Sequence, residues 1–497
     1  MPIRTVASYK VLVGMEVHVQ LATATKMFTG AANGATNFGA EPNSLVDEVV
    51  LGLPGTLPVM NKTAVESSIK VGLALGCKIA RHTKWDRKSY YYPDLPKNYQ
   101  ISQYDLPLCG EGTFDIPLKD GSSRTVRIRR AHLEEDAGKL LHDAPGGYRI
   151  EHTIVDLNRA GTPLLEIVTE PDLSTPEEVS AFGQELQKLV QFLGVSEGQM
   201  QMGHMRFEPN INVHITDDGG VVHKTAITEI KNLNSFSVLE RATAYEIQRQ
   251  LQHWRETPDL EEAKGRKATY GWDETTQTTF FQRLKEDAHD YRYFPDPDLA
   301  PVEVSDDWLI QLESEIGELP AARLKRYTDA LGLAPAEVAI LAGDRATGDL
   351  LDKAIAAGAS PKRAANLILS HGRRLANERG VPLGSLALSP ARLAEVVALV
   401  DAGKLAPSEP AGKVLERLLD TDAPAESIAT DLGLIQSSDT GAVDAAINAL
   451  IASNPRPLAD YKAGKQAALG ALVGMVMKNA KGLSAKVVQE RLKERLG

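Results

Sequence analysis

Glu16, His18 and Gln20 alternate with Met15, Val17 and Val19 in the decapeptide Gly14-Met-Glu-Val-His-Val-Gln-Leu-Ala-Thr23. Successive side chains of a strand point to opposite faces, so the polar trio shares one face and the apolar trio enters a core. A carboxylate and an imidazole two residues apart on a rigid strand form half of a metal site. The same pattern also fits an amphipathic edge strand with a solvated polar face. Two later segments add acids. In His132-Leu-Glu-Glu-Asp-Ala-Gly-Lys139, three consecutive acids follow a strand bearing Arg127, Arg129 and Arg130. Acids at that density repel unless a cation or basic groups neutralise them; a surface turn is the alternative. In Thr162-Pro-Leu-Leu-Glu-Ile-Val-Thr-Glu-Pro-Asp172, Glu166 interrupts a run that reads as a buried strand. A buried carboxylate needs a partner, either an arginine such as Arg159 or a metal. Together Glu16, His18, Glu135 and Glu166 form a set suited to Mg²⁺ and phosphate. Imidazole with carboxylates suits Zn²⁺ or Mn²⁺ equally.

Other segments pair aromatics with bases and amides. Asp86-Arg-Lys-Ser-Tyr-Tyr-Tyr-Pro-Asp-Leu-Pro-Lys-Asn-Tyr-Gln-Ile-Ser-Gln-Tyr104, which contains Lys88, has the groups to stack bases and bind phosphates, or to pack as an aromatic loop. Glu229-Ile-Lys-Asn-Leu-Asn-Ser-Phe236 sets Lys231 and two amides beside an expected helix N-cap, a natural phosphate site. There is no P-loop, no dinucleotide-binding glycine fingerprint after a strand and no nucleophile elbow. Any use of ATP therefore occurs on another scaffold.

The elements that must position these residues divide the chain. All ten Phe precede residue 295, and ten of the eleven His precede residue 300. Short runs at 10–19, 125–133, 153–156, 164–168, 211–215 and 226–230 read as strands. Helical periodicity covers 62–75, 176–192 and 238–254. The first ~300 residues thus form an α+β domain with a mostly antiparallel sheet. From Asp306 the chain is Ala/Leu-rich and helical, with Pro320, Pro335, Pro361, Pro390 and Pro407 near helix starts. A Pro/Ala/Glu-rich stretch near 405–412 marks a joint between a middle and a tail region. From Asn454 to Gly497, nine Lys/Arg face three Asp/Glu, which makes the tail a basic helical surface.

At 497 residues the chain is too long for one core. Two cysteines without CxxC spacing argue against a disulfide framework or zinc knuckle and fit a reducing cytosol. The opening residues lack the apolar run of a signal peptide, and no stretch approaches the ~20 apolar residues of a membrane span. The expected location is cytoplasmic, with no membrane association. A net charge of −11 excludes general electrostatic attraction to nucleic acid, so RNA binding requires a local basic patch.

Six ordered stretches, GMEVHVQL, KSYYYPDLPKNYQISQYDLPL, HLEEDAGK, VDLNRAGTPLLEIVTEPDL, EIKNLNSF and HDYRYFPDPDL, resemble the B subunits of tRNA-dependent amidotransferases. The tail sequence DYKAGKQAALGALVGMVMK extends the resemblance over essentially the whole chain. It implies a cradle-shaped α+β catalytic domain over 1–300, a helical domain over 301–408 and a helical tRNA-binding tail over 409–497. It also implies a heterotrimer and a reaction. The amidase/glutaminase partner, the A subunit, releases ammonia into a tunnel, and the small C subunit joins the other two. The B subunit uses ATP and Mg²⁺ to phosphorylate the side-chain carboxylate of Glu-tRNA(Gln) or Asp-tRNA(Asn), and ammonia displaces the phosphate. On this resemblance Glu16, His18, Glu135 and Glu166 are the metal and phosphoryl-transfer cluster, with Glu135 and Glu166 catalytic. Glu134 stands beside it or at the tunnel mouth. Lys88, Arg159 and Lys231 are candidate phosphate contacts, and Lys462, Lys465, Lys478 and Lys481 are candidate tRNA contacts in the tail.

Two departures from the family pattern stand out. Some members carry a CxxC where this chain has Asp47-Glu-Val-Val50, so no structural zinc is expected. The usual Arg-Cys-Asp-Ala-Asn-Ile-Ser reads Arg206-Phe-Glu-Pro-Asn-Ile-Asn212 here. Two competing readings are a non-catalytic tRNA-binding scaffold and a stand-alone ligase joining ammonia to a small carboxylate. The intact acidic set opposes the first, and the basic tail with no ammonia source opposes the second.

Overall fold

The computed structural model describes residues 4–144, 147–257, 267–284, 291–436, 440–453, 467–479 and 485–496. They fall into two compact units, Met1–Gly317 and Glu318–Gly497. The first is mixed α and β, the second helical, and the sheets are antiparallel-rich as expected.

The first unit is built on a nine-stranded sheet. Its strands are β1 (Val6–Gln20), β2 (Gly112–Pro117), β3 (Ser123–Glu135), β4 (Pro163–Thr169), β5 (Met205–Asp217), β6 (Val222–Lys224), β7 (Thr228–Lys231), β8 (Ala268–Asp273) and β9 (Thr278–Leu284). The spatial order is β9-β8-β7-β5-β1-β4-β3-β2, with β6 also on β5. Among the described residues only β7 and β8 pair in parallel within this sheet. The expected strand segments all fall within observed strands or overlap them, and β1, β3 and β5 run longer than their apolar cores suggest.

Two-residue periodicity sorts each long strand into two faces. Val13, Met15, Val17 and Val19 of β1, Leu165 and Ile167 of β4, and Phe207, Ile211 and Val213 of β5 are buried on one face. Helices α2 (Pro176–Phe192) and α3 (Phe236–Glu256) belong to this core; Phe207 of β5 meets Phe236 of α3 with ring centroids 5.6 Å apart. Gly183 of α2 lets those rings approach, since a Cβ there would lie 3.0 Å from Phe236 and 3.2 Å from Phe207. Both helices begin where the sequence signals them. Thr175 accepts from the Glu178 N–H and Ser235 from the Val238 N–H, each satisfying an orphan amide of the first turn. Helix α1 (Lys62–Ala74) starts in the same way at Asn61.

Strand β3 changes phase midway. A bulge between Ile128 and Arg130 moves the buried positions from Val126 and Ile128 to Ala131 and Leu133. His132 and Glu134 therefore point away from the core, together with Glu16, His18, Glu166, Arg206 and Glu208.

In the second unit, Pro320, Pro335, Pro361 and Pro390 each occupy the first turn of a helix, where a missing N–H costs nothing. One helical core gathers Tyr327, Leu341, Leu351, Leu393, Val397 and Val414, and a second gathers Val443, Ile447, Leu472, Val476 and Val488. Helix Glu409–Leu418 contributes Val414 and Leu415 to the first core. Among the described residues no helix is long and apolar enough to cross a membrane.

Candidate functional site

Cross-strand register assembles the site. His132, Glu166, His18 and Arg206 are consecutive partners across β3, β4, β1 and β5. One step along the same face, Glu16 lies opposite Glu208, and Asn210 lies opposite Glu229. Polar side chains from five neighbouring strands thus share one floor, whose underside is the apolar core.

The His18 Nε2 lies 3.7 Å from Glu166 Oε2 and 3.9 Å from Glu134 Oε1. The His132 Nε2 lies 3.4 Å from Glu166 Oε2 and 4.0 Å from Glu134 Oε2. Ligand-type atoms of His18, Glu134 and Glu166 all fall within 4.8 Å of one another, and so do those of Glu16, Glu208 and Glu229. Lys231 reaches the second group, at 2.8 Å from Glu208 and 4.0 Å from Glu229, and Asn210 donates to Glu16 at 3.2 Å. Next to these, Asp136 holds the Arg206 guanidinium at 2.8 Å and accepts from Gln20 at 2.8 Å. Arg159 donates to the carbonyls of Ala137 and Gly138, at 2.8 and 2.6 Å, and stands 3.7 Å from Asp136.

Part of this floor lines a cavity of ≈ 340 Å³ that includes His18, Lys88, Glu134, Glu166, Arg206 and Lys231. Its electrostatics are polarised. Burial and the charge of Glu166 push the Glu134 carboxyl up. Burial acts the same way on Glu166, but His132, His18 and Lys88 outweigh it and hold that carboxyl at about 2. Burial takes His132 down to about 4, so this imidazole is neutral at physiological pH. Burial opposes the charge of Lys88, yet Glu134 and Glu166 raise it above an ordinary lysine. Its ammonium sits 4.8 Å from the Tyr291 ring centre. The Nδ1 atoms of His18 and His132 are buried without a protein partner. The converging Glu134 and Glu166 carboxylates and the His18 imidazole form a donor set that fits a divalent cation. Its oxygen-rich character fits Mg²⁺, and its imidazole also admits Mn²⁺ or Zn²⁺.

The structure therefore brings together His18, Glu166, Lys88, Lys231 and Arg159 around one cavity, with Glu134 inside the cluster and Glu16 on the same sheet face opposite Glu208. It places Glu135 elsewhere. Adjacent strand residues face opposite ways, so Glu135 turns from the cavity, accepts from the Ile101 N–H at 3.0 Å and pairs with the Lys97 ammonium. Leu133 in the core is the available signal, since Glu135 shares its parity and Glu134 does not. His132, Asp136, Arg206, Glu208 and Glu229 also belong to the site, although no sequence pattern singles them out for it. The departure at Phe207-Glu-Pro209 has a structural reason: Phe207 is core, and Glu208 puts a carboxylate on the cavity face. Lys462, Lys465 and Lys481 lie outside the described residues, as does His289. Lys478 lies in helix Ala467–Asn479.

A carboxylate-rich face with fixed cations, carried on an antiparallel-rich sheet, is the candidate site of this unit. Residues 11–310 match the family model described as the GatB/GatE catalytic domain, and residues 349–496 match the GatB domain. The chain is 41% identical to the B subunit of the aspartyl/glutamyl-tRNA(Asn/Gln) amidotransferase of Carboxydothermus hydrogenoformans, over 98% of this chain and 99% of the relative. It is 42% identical to that of Thermosynechococcus vestitus, covering 98% and 97%, and 43% identical to that of Moorella thermoacetica, covering 98% and 100%. The chain belongs to the family of these amidotransferase B subunits.

Proposed function

We propose that this protein is the B subunit of a glutamine-hydrolysing, tRNA-dependent amidotransferase that converts Glu-tRNA(Gln), Asp-tRNA(Asn) or both to the amide. Membership of the family over the full length supports the activity. One observation carries the mechanism: His18, Glu134 and Glu166 converge within 4.8 Å on a floor ringed by Lys88, Arg206 and Lys231.

The chemistry requires such a floor. A free carboxylate is a poor electrophile because its leaving group would be an oxide. In the proposed reaction a carboxylate oxygen of the misacylated residue attacks the γ-phosphorus of ATP, forming an acyl phosphate and releasing ADP. Ammonia then adds to the acyl carbon, inorganic phosphate leaves, and a proton is lost. The residues that would hold Mg²⁺ are His18, Glu134 and Glu166, with Glu16, Glu208 and Glu229 as a second oxygen-rich group. When bound, the ion supplies charge neutralisation for the triphosphate and the acceptor carboxylate. Lys88, Arg159, Arg206 and Lys231 place positive charge where phosphate oxygens collect. Neutral His132 orients the Glu134 and Glu166 carboxylates without adding charge.

The finer reading follows the family. The first unit acts as a cradle for the acceptor end, and the tail from residue 409, basic over 454–497, binds tRNA. The glutaminase partner supplies ammonia through a tunnel, and the small third subunit joins the other two in the cytoplasm. The test is phosphate transfer from γ-labelled ATP by the purified complex, given Glu-tRNA(Gln) or Asp-tRNA(Asn) and no amide donor. tRNA-dependent turnover that Glu166→Ala abolishes supports the reading and names the substrate. Confirmed tRNA binding with no turnover on either substrate overturns it.

A further inference from the structure

The polar face of the large sheet carries a second charged group, toward the far end of β1 and β5. Lys10 of β1 lies directly opposite His214 of β5, and His214 lies directly opposite Lys224 of β6. Partners across neighbouring strands project from the same face, so three basic side chains form one row. The register of β1 and β5 is unbroken from this row to Glu16 and Glu208, and each strand covers six residues between them. The row therefore shares the face of the acidic floor, about 20 Å along the strands from Glu16. Between the two, β1 presents Leu12 and Gly14 and β5 presents Asn210 and Asn212, none of them charged. Both lysines are exposed, and among the described residues neither has an acidic partner. Asp217, three residues along β5, lies on the other face and is taken by His223 at 2.8 Å. Burial, then the charges of Lys224 and Lys10 on either side, hold the His214 imidazole below the ordinary histidine range. Like charges directly opposite one another destabilise a sheet, so the row gains from an anion laid across it.

We propose that Lys10, His214 and Lys224 hold a backbone phosphate in the acceptor arm of the RNA substrate while its aminoacyl end lies over the acidic floor. The assignment rests on the tRNA-dependent reading above and goes beyond it by naming a phosphate contact outside the reaction cavity. The charge of the whole chain, −11, means that a polyanion is drawn only to a local concentration of bases, and this row is one. Two ammonium groups flanking an imidazole N–H offer several donors to the oxygens of one phosphodiester. The distance fits an extended ligand. An RNA strand, with one charge per about 3.4 Å of axial rise, covers it in about six nucleotides. Phosphate contacts fix register and carry no base information, so the row serves Glu-tRNA(Gln) and Asp-tRNA(Asn) alike.

The test uses the assembled enzyme with the double variant Lys10→Gln/Lys224→Gln, and the charge-keeping Lys10→Arg/Lys224→Arg beside it. The glutamine pair raises the KM for aminoacyl-tRNA about tenfold, leaving kcat and the KM for ATP within about twofold. Its plot of log KM against log salt flattens by about 0.7–0.9 per lost charge, a change that a merely structural role does not produce. The arginine pair stays near wild type in both. Because both lysines are exposed, the melting curve of the glutamine pair holds its place. The same rise measured on an acceptor-arm minihelix supports the placement. A rise with whole tRNA that vanishes on the minihelix moves the contact to another part of the RNA and overturns it. An unchanged KM and salt slope in the glutamine pair, with wild-type tRNA binding intact, overturns the row alone, as does a rise confined to the KM for ATP. Absence of tRNA binding by the wild-type complex overturns the tRNA-dependent reading, and the row with it.

Discussion

The acidic floor of the first unit and the arginine cluster of the second both bury charge, but they settle it differently. In the helical unit, Arg323 is buried and meets Asp349 at 2.7 Å, while Arg326 meets Glu318 at 2.6 Å and Asp352 at 2.8 Å. Cations and acids there meet at contact distance except at the Arg323 Nε, which lies 3.6 Å from Glu318 and 3.8 Å from Asp352. On the sheet floor the histidine–carboxylate distances run from 3.4 to 4.0 Å, and two imidazole nitrogens lack protein partners. A cluster that closes on itself serves the fold. A cluster left open is arranged for something it must still receive.

The comparison breaks most directly at Glu166. Glu166→Ala should lower tRNA-dependent ATP turnover by on the order of 10³-fold, the loss of several kcal/mol of charge organisation, while the melting temperature stays level or rises. A large drop in melting temperature would reclassify the floor as structural. Arg323→Ala should show the reverse. Removing the buried member of this cluster takes from Asp349 its 2.7 Å partner and should destabilise the second unit by about 1–3 kcal/mol in chemical denaturation. ATP turnover by the folded fraction should be unchanged.

Lys26 offers a third contrast, a buried cation whose partners are mostly uncharged. It donates to the Ala160 carbonyl at 2.6 Å, and burial takes its pKa from 10.5 down to about 8. Between pH 8 and 10.5 the unfolded chain binds more protons at this site than the folded one, so stability rises with pH across that window. The slope is at most about 1.4 kcal/mol per pH unit, and Lys26→Met should flatten it in denaturation curves. The smallest expected effect on chemistry is at Glu135→Gln. It weakens the contacts to Lys97 and Ile101 and should cost about 1–3 kcal/mol of stability, with turnover reduced less than tenfold. A loss matching that of Glu134→Gln would put Glu135 back among the reacting groups.

The contrast also explains what is legible in the sequence. Glu16, His18 and Glu166 are visible because polar residues interrupt apolar strands in a regular two-residue pattern. Helix starts at Asn61, Thr175 and Ser235 are visible because capping is local. Glu135 reads as the cavity acid in place of Glu134 because neighbouring carboxylates look equivalent until packing fixes the phase of Leu133. Glu208 and Glu229 join the floor only through the register of β5 and β7, which no local pattern encodes. The row of Lys10, His214 and Lys224 forms through the register of β1, β5 and β6, so charge along the chain does not reveal it.

The bulge between Ile128 and Arg130 has a consequence for how β3 tolerates a change in length. It is a spare link in an otherwise taut chain. Arg129 and Arg130 both lie off the core between buried Ile128 and Ala131, where a regular strand would allow only one outward residue. Deleting Arg129 would take up that slack. Ile128 would stay inward, Arg130 outward and Ala131 inward, so Leu133 and Glu134 would keep their faces and the strand would run straight. Deleting Ala131 has no such release. Either Leu133 swings into the cavity while Glu134 goes under the sheet, or the slack is taken up by forcing Arg130 into the core. The polar face can thus lose a residue at the spare link, but a loss beyond it re-indexes every acid downstream.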